Sequence, residues 1–354
     1  MSSSRLRDLQ AFDDTKAGVK GLVDAGVTTI PAIFHHQSDP IPHHVDAIPI
    51  PLIDLADVDR GHLVAQVRAG AQSVGFFQVL NHGVPAELLD DMLAAVRRFN
   101  EQAAEGKRPF YSRDRGRRVK FNSNFDLFQS PAANWRDTLL LDMAPPGPPP
   151  EEIPPECRAV VPEYARAMQG LGVALLELLS EALGLPARYL AQDAGGLDGM
   201  SMAAHYYPPC PEPHLTLGTT RHSDPSFLTV VLQDASSKGV GGLQVLLGAG
   251  RWVDVPPVAG ALVVNIGDLL QLVSNERFRS VEHRVVATTS DRLSVAFFFR
   301  PHSACTRVYG PVGAGADAVY RSTTMPEFLA HYVGKGLDGR SALDHFRLPP
   351  PPHS

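Results

Sequence analysis

Two histidines and one aspartate could together bind a divalent metal ion. His222 and Asp224 are separated by one residue, and His283 lies in a later β-rich segment. Because alternate residues of a strand point to the same face, the imidazole of His222 and the carboxylate of Asp224 could reach the same point. Two imidazoles and one carboxylate suit Fe(II) and leave three coordination positions open. These three residues therefore predict a metal site.

The short spacing of His222 and Asp224 could also arise by chance. The chain contains a second H-x-D pair, His44 and Asp46, within a segment rich in proline and histidine, and a motif this short is only a hypothesis. We interpret the second pair as part of a solvated loop, because no strand pattern surrounds it. The alternative interpretation of His283 is a half-buried strand histidine without a metal. A metal site requires the strand of His283 to lie close to His222.

A guanidinium and a hydroxyl form another pair with this spacing. Arg292 and Ser294 share one face of a predicted strand. The guanidinium presents a planar fork that matches a carboxylate, and the hydroxyl adds one more donor. The alternative interpretation of Arg292 is an arginine at the exposed edge of a sheet.

Eight short β-rich runs, separated by turn residues, follow Gly199. Their spacing is typical of a sandwich, a jelly roll or a barrel. The predicted strands span residues 203–207, 227–233, 243–247, 252–255, 261–266, 269–273, 281–287 and 293–299.

Apolar residues at helical spacing predict helices on both sides of this region. One helix is predicted near residues 63–74, a second near 88–99 and a long one over 158–183. Thr324 and Glu327 have the spacing of a capping box, so a further helix should run to about Val333.

The composition excludes several classes of protein. The chain has 354 residues, with 32 Lys and Arg against 38 Asp and Glu and a net charge of -6, which argues against a nucleic-acid partner. No run approaches the ~18 apolar residues that cross a membrane. The three cysteines are odd in number and share no C-x-x-C spacing, so we expect reduced thiols and a cytoplasmic protein.

Several motifs, taken in order, resemble the plant 2-oxoglutarate/Fe(II)-dependent dioxygenases. Residues 75–83 and 135–137 are similar to the N-terminal region of that family. The N-terminal segment and residues 336–340 resemble the branch named after homologues of 1-aminocyclopropane-1-carboxylate oxidase, which includes the grass enzyme that hydroxylates DIBOA-glucoside. The motifs of the C-terminal half are His205-Tyr-Tyr-Pro-Pro-Cys-Pro, His222-x-Asp224, Gly267-Asp-Leu-Leu, His283-Arg-Val and Arg292-x-Ser294.

The resemblance implies a role for each of these residues. His222, Asp224 and His283 would bind Fe(II), with O2 as oxidant and ascorbate in a supporting role. The far carboxylate of 2-oxoglutarate would be held by three side chains, namely Arg292, Ser294 and Tyr207. Four residues are predicted to contact the substrate, and core packing is the alternative for each of them. They are Phe298, Arg300, Phe125 and Trp135. His205 replaces an asparagine of many relatives, and we interpret it as tolerated there rather than as a fourth metal ligand.

The implied fold is mainly β with flanking helices (α+β), around a double-stranded β-helix, or jelly-roll, core. The predicted regions are an N-terminal extension (1–47), an N-terminal α/β region (48–157), a linking helix (158–197), the jelly-roll domain (198–302) and a C-terminal helix and tail (303–354).

The implied activity is hydroxylation of a small plant specialised metabolite, and a benzoxazinoid glucoside is one candidate substrate. We expect the enzyme to be a monomer. Desaturation or demethylation is an alternative outcome at the same site. A second alternative is an ethylene-forming, ascorbate-dependent 1-aminocyclopropane-1-carboxylate oxidase, against which Tyr206-Tyr207 and the N-terminal extension stand. A third is a ligand-binding protein without activity, which would not need both the metal site and the Arg292-x-Ser294 pair.

Overall fold

The computed structural model describes residues 3–36, 50–235, 241–337 and 340–349. His44 and Asp46 lie outside these residues, as do residues 350–352 of the proline-rich C-terminus. The helices described are α1 (Ser3–Asp14), α2 (Gly18–Asp24), α3 (Arg60–Ser73), α4 (Ala86–Glu101), α5 (Ala104–Lys107), α6 (Pro155–Arg158), α7 (Val161–Ala182), α8 (Asp268–Val273) and α9 (Met325–Lys335). The strands described are β1 (Leu52–Asp54), β2 (Phe76–Leu80), β3 (Val119–Asn122), β4 (Asp137–Asp142), β5 (Ser201–Tyr207), β6 (Leu217–His222), β7 (Leu228–Gln233), β8 (Leu243–Leu247), β9 (Arg251–Asp254), β10 (Leu262–Ile266), β11 (His283–Val286), β12 (Arg292–Phe299), β13 (Val308–Tyr309) and β14 (Thr323–Thr324).

Two β-sheets enclose the interior of the protein. The larger sheet has the order β1-β2-β10-β7-β12-β5-β4-β3, and the smaller one has the order β6-β11-β8-β9. Side chains of both sheets line the same internal cavity, so the sheets face each other. This is the predicted mainly β architecture, with a jelly-roll core and flanking helices.

The strand alternation of β12 decides which side chains reach the interior. Leu293, Val295, Phe297 and Phe299 belong to the main apolar core, and α4 packs against this strand and β5. The alternate residues of the same strand line the cavity between the sheets. The helices therefore fix one face of β12 and leave the other face free for chemistry.

Two of the helices predicted on either side of the β-rich region, the long one and the capped one, are largely confirmed. The long stripe forms α7, although Arg158 ends the separate short helix α6. Pro162 lies in the first turn of α7, where its missing N–H removes no helical hydrogen bond. Thr324 caps α9 by accepting a hydrogen bond from the backbone N–H of Glu327 (3.4 Å), as the capping-box spacing predicts.

Two predictions about strands near the metal site are wrong. Residues 269–273, predicted as a strand, belong to helix α8, because a short apolar run does not distinguish a strand from a buried helix. The strand β6 was not predicted, since it is largely polar, and it ends at His222. Asp224 lies beyond that end, so His222 and Asp224 do not share a strand face.

A buried carboxylate fastens the N-terminal helices to the sheet. Asp137 accepts hydrogen bonds from the backbone N–H groups of Val19 (2.7 Å) and Lys20 (2.8 Å) and from the Ser123 hydroxyl. Gly18 precedes them with a φ of +72°, and a Cβ at this position would collide with the Asp137 carboxylate. Asp137 thus supplies acceptors for the first, unpaired N–H groups of α2.

Replacing Asp137 with asparagine tests this attachment. An amide turns one of the two acceptor oxygens into a donor that faces backbone N–H groups, so we expect the free energy of unfolding to fall by about 1–3 kcal/mol. Urea denaturation followed by circular dichroism measures the change. Asp91→Asn, at an exposed position of α4, is the matched control and should change stability by less than about 0.5 kcal/mol. Equal stability of the two variants would contradict the prediction.

Candidate active site

His222, Asp224 and His283 converge at one end of the smaller sheet. His283, the first residue of β11, pairs directly with His222 of the antiparallel strand β6, and their ring centroids are 4.2 Å apart. The Nε2 atoms of His222 and His283 lie 3.7 and 3.8 Å from Oδ1 of Asp224. The three residues each offer a ligand atom, and these atoms all lie within 4.8 Å of one another.

Backbone carbonyls fix the protonation of both imidazoles. Nδ1 of His222 lies 2.8 Å from the carbonyl oxygen of Thr220, and Nδ1 of His283 lies 3.2 Å from that of Val281. A carbonyl only accepts, so Nδ1 carries the proton in the neutral tautomer of each ring, which leaves Nε2 as the ligating nitrogen. Burial, followed by the neighbouring imidazole of His283, lowers the pKa of His222. Its neutral, ligating form is therefore favoured near pH 7.

The carboxylate of Asp224 is oriented in a similar way. Its Oδ2 accepts hydrogen bonds from the hydroxyl of Thr229 (2.7 Å) and the amide of Asn265 (2.9 Å). These bonds leave Oδ1, the oxygen nearest both imidazoles, available to a cation. Two neutral imidazoles and one carboxylate, presented from one side, fit Fe(II) in a site with open positions.

A small cavity of about 60 Å³ connects the three residues with Arg292. Arg292 lies opposite Tyr207 across β12 and β5, with its guanidinium carbon 4.9 Å from the centroid of the tyrosine ring. Its Nη1 donates to Ser294 Oγ (2.9 Å), its Nη2 donates to Gln233 Oε1 (2.8 Å), and its Nε donates to the carbonyl of Gly241 (2.7 Å). The structure thus brings together Arg292, Ser294 and Tyr207 as the sequence predicts.

A larger cavity of about 230 Å³ lies on the other side of His222 and Asp224. Phe125, Phe298 and Arg300 line it, as predicted for substrate contact. Trp135 does not line it: the indole is fully buried beside Phe34 in the N-terminal core, and its Nε1 donates to the Pro208 carbonyl. Packing, rather than substrate contact, is the role that this position supports.

Helix α9 forms one wall of the larger cavity. The sequence predicts the helix but not its position at the cavity. Leu329, Tyr332 and Val333 of this helix line it. The Tyr332 hydroxyl donates to the carbonyl oxygen of Ser223, between His222 and Asp224 (3.0 Å). The capping signal located the helix but could not show what it packs against.

Arg136 and His205 line both cavities and were also not predicted as cavity residues. Arg136 Nη1 donates to the hydroxyl of Thr219 (2.7 Å). Burial, and then the positive charges of Arg136 and Arg292, hold the pKa of His205 well below its usual value. Among the residues described, His205 does not belong to the cluster of possible metal ligands.

Comparisons with known proteins agree with this geometry. Residues 199–301 match the profile of the 2OG-Fe(II) oxygenase superfamily, and residues 50–163 match a profile described as non-haem dioxygenase in morphine synthesis N-terminal. In the described segments, no helix combines the length and apolar character needed to cross a membrane.

Relatives from Arabidopsis thaliana match almost the whole chain. The protein named 1-aminocyclopropane-1-carboxylate oxidase homolog 3 is 49% identical over 97% of this chain and 97% of its own length. A probable 2-oxoacid dependent dioxygenase is 44% identical over 97% of this chain and 98% of its own length. The predicted branch is therefore confirmed.

Solved structures extend the comparison to the fold. JOX2 in complex with 2OG, Fe and JA superposes with a TM-score of 0.83 at 28% identity, over 94% of this chain and 98% of JOX2. The rice dioxygenase for auxin oxidation gives a TM-score of 0.68 at 27% identity, over 85% of this chain and all (100%) of its own. The chain belongs to the 2OG-Fe(II) oxygenase superfamily and is a dioxygenase that uses Fe(II), 2-oxoglutarate and O2.

Proposed function

We propose that this dioxygenase hydroxylates a small molecule bound in the larger cavity, with His222, Asp224 and His283 as the Fe(II) ligands. The observation that carries the proposal is that the two cavities adjoin at His222 and Asp224, while His283 lines the smaller one. The smaller one extends to Arg292 and the larger one to α9. Co-substrate and substrate can therefore reach the metal site from different directions.

In this proposal Arg292, Ser294 and Tyr207 bind the far carboxylate of 2-oxoglutarate. A guanidinium carries five N–H groups, and three of them donate to Gly241, Ser294 and Gln233. One N–H remains on each Nη atom and would be available to a carboxylate without breaking the existing bonds. Gln233 and Gly241 would hold the fork in position.

Bound Fe(II), with 2-oxoglutarate and O2, supplies the oxidising chemistry, in which 2-oxoglutarate is converted to succinate and CO2. The protein contributes the placement of the substrate and the exclusion of water. Phe298, from β12, and Leu329, from α9, are apolar walls of the larger cavity. They would hold a C–H bond of the substrate close to the metal ligands.

The size of the larger cavity bears on the substrate. A volume of about 230 Å³ lies below the ~300–1,000 Å³ of most ligand pockets, which favours a compact ligand over a glucoside. A partly aromatic plant metabolite fits these walls, and a benzoxazinoid glucoside remains a candidate only if α9 moves. Hydroxylation is the proposed outcome, with desaturation or demethylation as alternatives at the same site.

The location and assembly of the protein are further proposals. Cys157, Cys210 and Cys305 are unpaired thiols, which supports a cytoplasmic protein. We propose a monomer that contributes all of its site residues from one chain, because both cavities are lined within it. Light scattering after size exclusion tests the monomer.

The metal site is tested by alanine substitutions. His222→Ala, Asp224→Ala or His283→Ala should each reduce Fe(II) affinity by more than about a hundredfold and abolish turnover, because each removes one of three ligand atoms. Asn265→Ala, which only orients Asp224, should weaken binding by about ten- to a hundredfold. Anaerobic Fe(II) titration measures both effects.

His44→Ala is the control for the metal-site variants, since it alters the second H-x-D pair. It should retain Fe(II) affinity and turnover. Loss of iron from His44→Ala together with retention by His283→Ala would show that the wrong pair was chosen.

The co-substrate site is tested at Arg292. Its contact with a carboxylate is charge-assisted and worth about 1.5–3 kcal/mol, so Arg292→Ala should raise the KM for 2-oxoglutarate by about ten- to a hundredfold. Arg292→Lys keeps the positive charge but loses the planar fork of the guanidinium. Its KM for 2-oxoglutarate should therefore lie between those of the wild type and Arg292→Ala. Ser294→Ala and Tyr207→Phe each remove one neutral donor and should each weaken 2-oxoglutarate binding by about 1 kcal/mol.

Succinate release at varied 2-oxoglutarate measures the Arg292 series, and Fe(II) binding should survive in all four variants. Turnover that requires ascorbate, forms no succinate and is independent of 2-oxoglutarate would instead indicate an ethylene-forming oxidase.

The substrate class is tested with a panel of metabolites. The enzyme with Fe(II), 2-oxoglutarate and O2 should add one oxygen atom to a compact, partly aromatic compound, as read by mass spectrometry. Loss of two hydrogens would indicate desaturation instead. Turnover of a peptide, with no phenolic, benzoxazinoid or alkaloid accepted, would contradict the proposed class.

A further inference from the structure

Arg300 places a guanidinium without a bonding partner in the wall of the larger cavity. The residue is half-buried, and its Nη1 atom has almost no exposed surface and no hydrogen-bond partner. Among the residues described, no side chain or carbonyl accepts a hydrogen bond from this guanidinium. The carboxylate of Asp142 is near enough to raise the pKa of Arg300, but burial lowers the pKa by more.

This arrangement is costly for the protein alone. A buried charge is normally paired, because removing it from water carries a large free-energy penalty. Arg292, the first residue of β12, donates hydrogen bonds from all three of its nitrogens, whereas Arg300 directly follows the end of this strand. Arg300 therefore differs from Arg292 in that no hydrogen bond to a described residue of the protein holds its guanidinium, so all of its donors are available to a ligand.

The strand register places Arg300 and Arg292 on opposite sides of the metal ligands. Phe298 pairs with Thr229, the residue that donates to Asp224, so this part of β12 lies level with the metal site. Arg292 lies towards one end of the strand from that level, and Arg300 follows Phe298 towards the other. A molecule bound at Arg300 is thus separated from 2-oxoglutarate bound at Arg292.

The remaining wall of the larger cavity determines what kind of molecule fits. Asp224 is its only acidic residue among those described, and that carboxylate is oriented towards the metal site. About half of the other side chains around the cavity are apolar, and the basic ones include Arg136 as well as Arg300. The apolar residues include Leu140, Ala203, Phe298, Leu329, Val333 and Leu337.

We propose that the substrate carries a carboxylate that Arg300 binds, at the end of an apolar body that lies against Phe298 and α9. The inference rests on the proposed function and specifies its substrate class. A planar fork matches a carboxylate in shape, and one guanidinium balances its single negative charge. The other guanidinium of the lining, Arg136, donates to Thr219, which lines only the smaller cavity. A phosphate monoester would bring up to two negative charges to Arg300 and is the less favoured anion.

Matched acids and amides test the proposal directly. The probes are 3-phenylpropanoate and hexanoate, each compared with its primary amide, titrated by calorimetry into anaerobic protein that holds Fe(II) and 2-oxoglutarate. The wild-type protein should bind each acid about ten- to a hundredfold more tightly than its amide, since a charged hydrogen-bonded pair is formed. Arg300→Gln should bring this ratio to about one without weakening the amides.

Two further variants keep the test decisive. Arg300→Lys retains the positive charge without the planar fork, so its preference for acid over amide should lie between those of the wild type and Arg300→Gln. This variant replaces Arg300→Gln in the test if the glutamine variant does not fold. Arg115→Gln, which removes an exposed arginine outside the cavity lining, should keep the wild-type ratio. Fe(II) and 2-oxoglutarate affinities should be unchanged in Arg300→Gln.

The outcomes separate this proposal from the proposed function. A wild-type ratio near one, or equal weakening of acid and amide by Arg300→Gln, would overturn the carboxylate proposal while Fe(II) and 2-oxoglutarate still bind. Tighter binding of 3-phenylpropyl phosphate than of 3-phenylpropanoate would overturn it in favour of a phosphate ester. Failure of the wild-type protein to bind 2-oxoglutarate would instead overturn the proposed function.

Discussion

The pairing of β6 with β11 is the constraint on which the active site depends. It places His283 opposite His222, and β11 is held on its other side by β8, where His283 pairs with Val245. A shift of one residue in this register would turn the His283 imidazole to the opposite face of the sheet. The register is irregular directly after His283, and such irregularities are frequent beside active sites, where they re-aim side chains.

Both sheets contribute to positioning the three proposed metal ligands. His222 and His283 come from the smaller sheet, whereas the side chains that orient Asp224 come from β7 and β10 of the larger one, through Thr229 and Asn265. Each of these bonds occupies one atom of a ligand and leaves the other atom free. The protein therefore prepares lone pairs for a cation by hydrogen-bonding the other polar atom of each ligand, which is the role that outer hydrogen bonds have in metal sites.

Much of this site could be predicted from the sequence because strand alternation is local. Arg292 and Ser294 share a face on the strand where the pattern placed them. The polar strand β6 carries no apolar alternation, so the structure brings His222 and Asp224 together through a local geometry that the sequence does not predict. Arg136, His205 and Tyr332 became cavity residues only through the packing of distant elements, which no local pattern encodes.

The N-terminal helices and the substrate cavity are connected through β4. Asp137 on this strand holds α2, while its neighbours Arg136 and Thr138 line the larger cavity. A small displacement of α2 would move β4, and with it side chains that line the larger cavity. Substitutions in α2 would therefore change the shape of this cavity from positions that do not line it.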